Sequence, residues 1–330
     1  LKSFQHIVQA FGLEKNTGKT ECLNYVLKRL QHSGKQLALT SIGIDGESID
    51  QVTFTHKPEI ELFENLIFVT SEKHFREKLI DAEILHLSDR RTALGRLVTA
   101  RAKGNGKVIF SGPSDSVWLR ETIDALKTYG VDTTIVDGAL SRLSLGSPAV
   151  SESIILATGA AVSANINSLV RKTRFVYTLI QIEAFQSPVN DQLQSLDNGI
   201  YAIDDQWNIV DLGIPSVFML EKFRDKLFGK GNTLFVTGAV SDSLLNFLRV
   251  QKNIEEIVLV VRDFTRIFVS SEAYAAFIRK GGRIRVLMRT RLIAVCVNPV
   301  SPEGYVLDSH KLCEQMSESL GIPVYDVRKI

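Results

Sequence analysis

The sequence has little cysteine and no recognisable metal-binding pattern. Its three cysteines, Cys22, Cys296 and Cys313, are far apart and form no Cys-x-x-Cys pair. This spacing excludes a zinc ribbon and a disulfide-stapled fold, and it favours a reducing, cytoplasmic setting. The six histidines are also scattered, and none forms a His-Glu-x-x-His motif. We therefore expect no metal site built on histidine.

Long apolar runs and a strong net charge are also lacking. No apolar run approaches the roughly 20 residues that a membrane-spanning helix needs, so we expect no membrane span. The 39 basic and 37 acidic residues leave a formal charge of only +2, which gives no strong field to attract nucleic acid. The basic clusters at Arg283-Arg285 and Arg289-Arg291 lie among apolar residues. This alternation favours the solvated face of a strand over a nucleic-acid groove.

The composition is that of a globular protein with room for two domains. The chain has 330 residues, of which 45% are hydrophobic and 23% charged. Its first half alternates short apolar strands with helical patterns, which predicts an α/β fold with a mostly parallel sheet flanked by helices. A polar connector follows at about 186–198. We therefore predict a P-loop NTPase-like nucleotide-binding domain over 1–185 and a second, smaller α/β domain over 186–330.

The P-loop assignment depends on the run from Phe11 to Thr20, which follows a predicted strand and leads into a helical pattern. The run ends in Gly-Lys-Thr, as a Walker A motif does. In that motif four residues separate the first glycine from the second. Here Leu13 stands at the position of the first glycine, and Gly12 comes one residue too early. Leu13 cannot enter backbone regions reserved for glycine, so the path of the loop is in question.

Each residue at the end of this run has an expected role in binding ATP and Mg²⁺. Backbone N–H groups from Asn16, Thr17 and Gly18 would surround phosphate oxygens, helped by the positive end of the following helix. Lys19 would reach the β- and γ-phosphates, and the hydroxyl of Thr20 would bind Mg²⁺. The alternative is that Asn16-Thr17-Gly18 is an ordinary turn that caps a helix.

Two aspartates are candidates for supporting the metal ion. Asp45 follows a predicted strand at 36–44, and Asp137 ends a predicted strand at 133–136. An acid at such a position can hold Mg²⁺ or orient the attacking water, so we predict catalytic roles for Asp45 and Lys19. Both aspartates precede glycine, and Asp-Gly is also a common turn pair. We expect at least one of the two to contact Mg²⁺.

Five short stretches together resemble one known family. They are Leu13–Thr20, Ser41–Glu47, Thr92–Arg96, Val136–Ala139 and Asn298–Pro302. They resemble the P-loop subunit of the lysine 5,6-aminomutase (ornithine/lysine aminomutase) reactivase, from anaerobic amino-acid fermentation. The resemblance implies an ATP-binding protein that acts with a MutS-like partner subunit. Together the two would restore an adenosylcobalamin-dependent aminomutase by driving exchange of its damaged cofactor. Because Leu13 replaces the first glycine, two alternatives stay open: ATP is hydrolysed, or ATP is only bound.

Two other functions fit the same residues. One is a stand-alone ATP-dependent ligase or kinase of the dethiobiotin-synthetase type. The other is a pseudo-NTPase, an interaction module whose loop no longer binds nucleotide. Steady turnover with a small substrate would indicate the enzyme, and a lack of nucleotide binding would indicate the pseudo-NTPase.

Overall fold

The computed structural model describes residues 6–43, 60–139, 151–214, 227 and 229–329. Asp45 lies outside these residues, so the predicted role of this aspartate stays a prediction. The chain divides into two compact units. The first comprises Leu1–Arg174 together with Arg291–Ile330, and the second comprises Phe175–Thr290.

The strands of both units are short and mostly apolar. In chain order they are β1 (His6–Gly12), β2 (Leu37–Ser41), β3 (Ile60–Leu62), β4 (Ile67–Ser71), β5 (Ala82–Thr92), β6 (Gly95–Ala102), β7 (Gly106–Val108), β8 (Thr133–Ala139), β9 (Ser153–Gly159), β10 (Ile200–Ile203), β11 (Ile209–Asp211), β12 (Thr233–Val236), β13 (Val240–Ser241), β14 (Val258–Val261), β15 (Ile267–Phe268), β16 (Arg283–Val286), β17 (Arg291–Asn298) and β18 (Val324–Asp326).

The helices between them are amphipathic. They are α1 (Lys19–Leu30), α2 (Glu72–Arg76), α3 (Ser116–Leu126), α4 (Ile166–Ile180), α5 (Asn190–Ser195), α6 (Asp242–Arg249), α7 (Ser271–Arg279) and α8 (Ser309–Leu320). In α1, for example, the buried residues Cys22, Leu23 and Leu27 recur at the spacing of one helical face. This spacing lets α1 cover the sheet while Lys28 and Arg29 stay exposed.

A nine-stranded sheet is the centre of the first unit, in the order β18-β17-β9-β1-β8-β2-β4-β6-β5. The strands from β18 to β4 are parallel to their neighbours, and only β6 and β5 at one edge are antiparallel. The predicted mostly parallel α/β sheet is therefore confirmed. The hairpin of β5 and β6 was not predicted. The sequence also predicts a strand over 108–111; β7 overlaps this segment at Val108, but it pairs with β3 and not with the nine-stranded sheet.

The second unit contains a smaller mixed sheet, in the order β11-β10-β12-β14-β16. Strands β12, β14 and β16 are parallel. The sequence also predicts a hairpin of 201–203 and 208–210, and β10 and β11 form it at the antiparallel edge of this sheet. The core of this unit includes Leu193, Phe235 and Val260. An α/β arrangement after the polar connector was predicted, and it is present here.

The end of the chain does not follow the predicted domain division. We placed all of 186–330 in the second domain, but β17 lies between β9 and β18 in the nine-stranded sheet. Within it, Cys296 is opposite Ala157 and Val297 is opposite Thr158. The apolar pattern of β17 identifies a buried strand but contains no information about which of two sheets will bury it. The first unit is therefore discontinuous in sequence.

Candidate functional site

The Gly-Lys-Thr loop lies at the carboxyl end of β1, in the middle of the nine-stranded sheet. On one side β1 pairs with β8, followed by β2, and on the other side it pairs with β9, followed by β17. The strands from β2 to β8 in this sheet lie on one side of β1, whereas β9, β17 and β18, which come later in the chain, lie on the other side. In open α/β sheets, ligands bind at the carboxyl ends of strands where the order reverses in this way.

The backbone path of the loop resolves the question about Leu13. Leu13 is buried, and its N–H donates to the carbonyl of Ala157 at 2.9 Å, which prolongs the ladder between β1 and β9. Between residues 12 and 20, all of them described, only Asn16 (φ 61°) and Gly18 (φ 82°) have positive φ. Leu13 is therefore not required to adopt a conformation reserved for glycine.

Gly12 allows the rest of the loop to approach the backbone closely, which the first glycine of a Walker A motif would otherwise allow. A Cβ added to Gly12 would lie 2.8 Å from Thr17 Oγ1 and 3.6 Å from Lys19 Cβ, so the loop folds back directly over this residue. Thr17 is 1% exposed, and its hydroxyl donates to the carbonyl of Glu14 at 3.0 Å. The Thr17 side chain thus holds the loop in shape, and any contact of Thr17 with a phosphate would come from its backbone.

Gly18 joins the loop to α1 and is in tight contact with the end of β17. It caps the helix with a left-handed backbone, φ 82° and ψ 16°. A Cβ at this position would lie 2.9 Å from Asn298 Cβ and 2.9 Å from Val327 Cγ2. Because glycine has no side chain to cap them, the first N–H groups of α1 are not satisfied by their own N-cap residue.

Asn298 is a residue of this site that the sequence analysis missed. Its Nδ2 donates to the carbonyl of Asn16 at 3.3 Å, and its Oδ1 accepts from the N–H of Val300 at 3.1 Å. Two signals were available: its position at the end of a predicted apolar strand, and its place in the Asn298–Pro302 stretch that carries the resemblance. Because that strand was predicted to belong to the second domain, neither signal placed Asn298 beside the loop.

Lys19, at the start of α1, and Asp137, in β8, form an ion pair. The Nζ of Lys19 lies 2.8 Å from Oδ1 of Asp137, and the two side chains are only 18% and 13% exposed. Asp137 lies within β8, opposite Ala10 of β1 and Ser41 of β2, so the turn alternative does not apply to Asp137. Two residues that were predicted separately, one for phosphate and one for Mg²⁺, are thus in contact.

No protein family model and no curated protein matches this chain.

The residues present fit a Mg²⁺ ion that is shared with a phosphate. Oδ1 of Asp137 is buried and lies 2.8 Å from Nζ of Lys19. Thr20 is partly exposed at the first turn of α1. Within the described residues no three His, Cys, Asp or Glu side chains cluster as a metal site. Mg²⁺ usually takes one or two carboxylates plus phosphate oxygens and water, so such a cluster is not required.

A separate groove of about 900 Å³ runs along the outer face of α1. Its lining includes Asn24, Lys28, His32 and Lys107, but not Lys19, Thr20 or Asp137. It is therefore distinct from the Gly-Lys-Thr loop. Among the described segments, no helix has both the length and the apolar character needed to cross a bilayer.

Proposed function

We propose that this chain binds ATP with Mg²⁺ at the loop between β1 and α1. The backbone of Asn16, Thr17 and Gly18 binds phosphate oxygens, Lys19 contacts the β- and γ-phosphates, and Thr20 and Asp137 support Mg²⁺. The observation that carries this proposal is the Lys19–Asp137 ion pair at the carboxyl ends of two adjacent parallel strands.

The ion pair favours a ligand site over a purely structural contact. A mostly buried ion pair contributes little net stability, because removing two charges from water offsets their attraction. A structural role would therefore gain little from placing both charges here. An ammonium group has three donors, so Lys19 can keep Asp137 and still reach a phosphate.

The shape of the loop also favours a phosphate site over an ordinary helix-capping turn. An ordinary turn needs the left-handed Gly18 but has no need for the contact between Gly12 and Thr17. That contact brings the loop back over the end of β1, close to Lys19. Successive N–H groups in such a loop, followed by a helix N-terminus, form an anion-binding concavity.

At the level of physiology we propose the reactivase function that the resemblance implies. ATP binding and hydrolysis would then drive cofactor exchange in an adenosylcobalamin-dependent aminomutase, together with a MutS-like partner subunit. The support for this step is the resemblance, whose motif residues Asn16, Asp137 and Asn298 all lie at the loop. A stand-alone ligase or kinase would use the same phosphate site.

Calorimetric titration of ATP with Mg²⁺ tests the site. We expect Lys19→Ala to weaken binding by about 10-fold or more, because a hydrogen bond to a charged group contributes about 1.5–3 kcal/mol. Lys28→Ala is the matched control, since it removes the same charge from the exposed face of α1. Equal affinities of wild type and Lys19→Ala, or no binding by wild type, would overturn the site.

Hydrolysis assays separate the physiological roles. The reactivase function predicts slow ATP hydrolysis by the purified chain and faster hydrolysis when the partner subunit or a stalled aminomutase is added. Rapid turnover that depends only on a small substrate would instead identify a ligase or kinase.

A further inference from the structure

Two cysteines that are distant in sequence meet beside the phosphate loop. The Sγ atoms of Cys22 and Cys296 are 3.0 Å apart. Cys22 belongs to the first turns of α1, and Cys296 belongs to β17. Both are buried, with 2% and 3% of their surface exposed, in an apolar cluster with Ile155 and Val327.

The two thiols differ in acidity. Either sulfur can donate in the hydrogen bond between them, and the bond from Cys296 lowers the pKa of Cys22. The same hydrogen bond, followed by burial, raises the pKa of Cys296. In either member of the pair, the thiolate is the form of cysteine that reacts with oxidants. The third cysteine, Cys313, lies in α8 and takes no part in this pair.

We infer that Cys22 and Cys296 are a reversible disulfide modification site that links α1 to β17. A disulfide has an S–S length of about 2.05 Å, so the sulfurs need to approach by only about 1 Å. Reversible disulfides inside cells usually serve redox sensing, and this pair needs no third residue to resolve it.

The oxidant is a hydroperoxide, and the reaction balances without a cofactor. The thiolate of one of the two cysteines attacks one oxygen of hydrogen peroxide, which breaks the O–O bond, gives a sulfenic acid and releases hydroxide that is protonated to water. The sulfur of the other cysteine then displaces the sulfenic oxygen, which leaves as a second water, and the S–S bond forms. Two thiols and one peroxide thus become one disulfide and two waters. A dithiol reductant reverses the change by thiol–disulfide exchange.

The disulfide would act on the phosphate loop from two sides. The N–H of Cys22 donates to the carbonyl of Gly18 at 3.0 Å, as the first hydrogen bond of α1. Cys296 lies two residues before Asn298, whose side chain contacts Gly18 and Asn16. Drawing the sulfurs together would move α1 and β17 closer at a point where Gly18 and Asn298 already leave no room for a Cβ. The resulting loss of ATP affinity rests on the proposed function, whereas formation of the disulfide does not.

The chemical test uses the full chain with Cys313→Ser, which leaves only the two thiols in question. We expect thiols counted in denaturant to fall from two to none after hydrogen peroxide, with a mass loss of two hydrogens. Peptide mapping should find Cys22 joined to Cys296 within one chain, and dithiothreitol should restore both thiols. In the further variant Cys296→Ser the cross-link cannot form. Persistence of both thiols, or oxidation to sulfinic acid or between chains instead, would overturn the inference.

A second measurement compares ATP affinity before and after oxidation of the same variant. We expect oxidation to weaken binding by about threefold or more, with recovery on reduction and no effect in Cys296→Ser. A disulfide that forms without changing affinity refutes the link to the loop. Absence of ATP binding in the reduced protein refutes the nucleotide site, and the thiol count still decides the disulfide.

Discussion

Asn298 occupies the space into which a side chain at Gly18 would project. The added Cβ would lie 2.9 Å from the Cβ of Asn298. The same asparagine donates to the carbonyl of Asn16 at 3.3 Å. The two left-handed residues of the loop, Asn16 and Gly18, are therefore both held by the end of β17. The Gly-Lys-Thr loop, which follows β1, is therefore held in part by β17, although the two strands are far apart in the sequence.

The first prediction concerns Gly18→Ala. We expect the free energy of unfolding to fall by about 2–4 kcal/mol, because left-handed backbone and overpacking each penalise the new methyl group. Gly34→Ala is the control, since Gly34 also has positive φ (71°) but has no atom within 4 Å of an added Cβ. Urea unfolding of both variants measures the difference. Equal losses would show that the contact with Asn298 is not restrictive.

The second prediction concerns the contact between Gly12 and Thr17. Gly12→Ala should weaken ATP binding, because its Cβ would lie 2.8 Å from Thr17 Oγ1 and displace the loop. Thr17→Ala removes that oxygen and makes room for the new methyl group. The double variant should therefore bind better than the two single effects predict, by about 0.5–3 kcal/mol for residues in contact. Titration of all four proteins gives the coupling energy. Simple additivity would contradict the proposed fold-back of the loop.

The third prediction concerns Asp137→Asn. The amide keeps the shape of the side chain but loses the charge that Mg²⁺ requires. We expect binding of ATP with Mg²⁺ to weaken by about 10-fold, since charged partners contribute about 1.5–3 kcal/mol. Binding of ATP with EDTA present should change much less. Titration under the two conditions tests this, and Asp132→Asn serves as a control because the Asp132 carboxylate bonds the backbone of Gln36 instead. A loss of the same size without Mg²⁺ would indicate that Asp137 only orients Lys19.

The fourth prediction concerns the boundaries of the two units. A fragment of residues 1–185 lacks β17 and β18, so one side of β9 is unpaired and the cluster that contains Ile155 is incomplete. We expect this fragment to show no cooperative thermal unfolding. A fragment of residues 175–290 contains its own five-stranded sheet and core, and it should unfold cooperatively. Circular dichroism on heating measures both. Cooperative unfolding of residues 1–185 alone would contradict the discontinuous unit.

The sequence predicts those parts of the site that are formed by residues close together in the chain. The strand, the loop and the helix from β1 to α1 are contiguous, and the four residues before Asp137 already indicated a strand. That strand was predicted to end at Asp137, but β8 continues to Ala139. Asn298 and the Cys22–Cys296 pair were not predicted, because they depend on β17 joining a sheet that begins far earlier in the chain. Apolar alternation predicts that a strand is buried, but it does not predict which strand lies beside it.

The missed hairpin of β5 and β6 has a different cause. Asp89, Arg90 and Arg91 interrupt the apolar alternation that is typical of a strand. No strand was therefore predicted in this segment. In the structure β5 is an edge strand with two register shifts, between Ile84 and His86 and between Leu87 and Arg91. Edge strands tolerate charges and bulges because one side faces solvent. The pattern of a buried strand therefore does not apply to them.

The place of β17 in the sheet also affects the order in which the protein can be made. During synthesis the residues of the second unit leave the ribosome before any residue of β17 does, and domains generally fold as units as they emerge. The loop at Asn16–Gly18 is then present early but lacks Asn298 beneath it. Asn298 reaches the loop only after residues 175–290 have been translated. A nascent chain therefore cannot complete the Gly-Lys-Thr loop before translation passes Asn298.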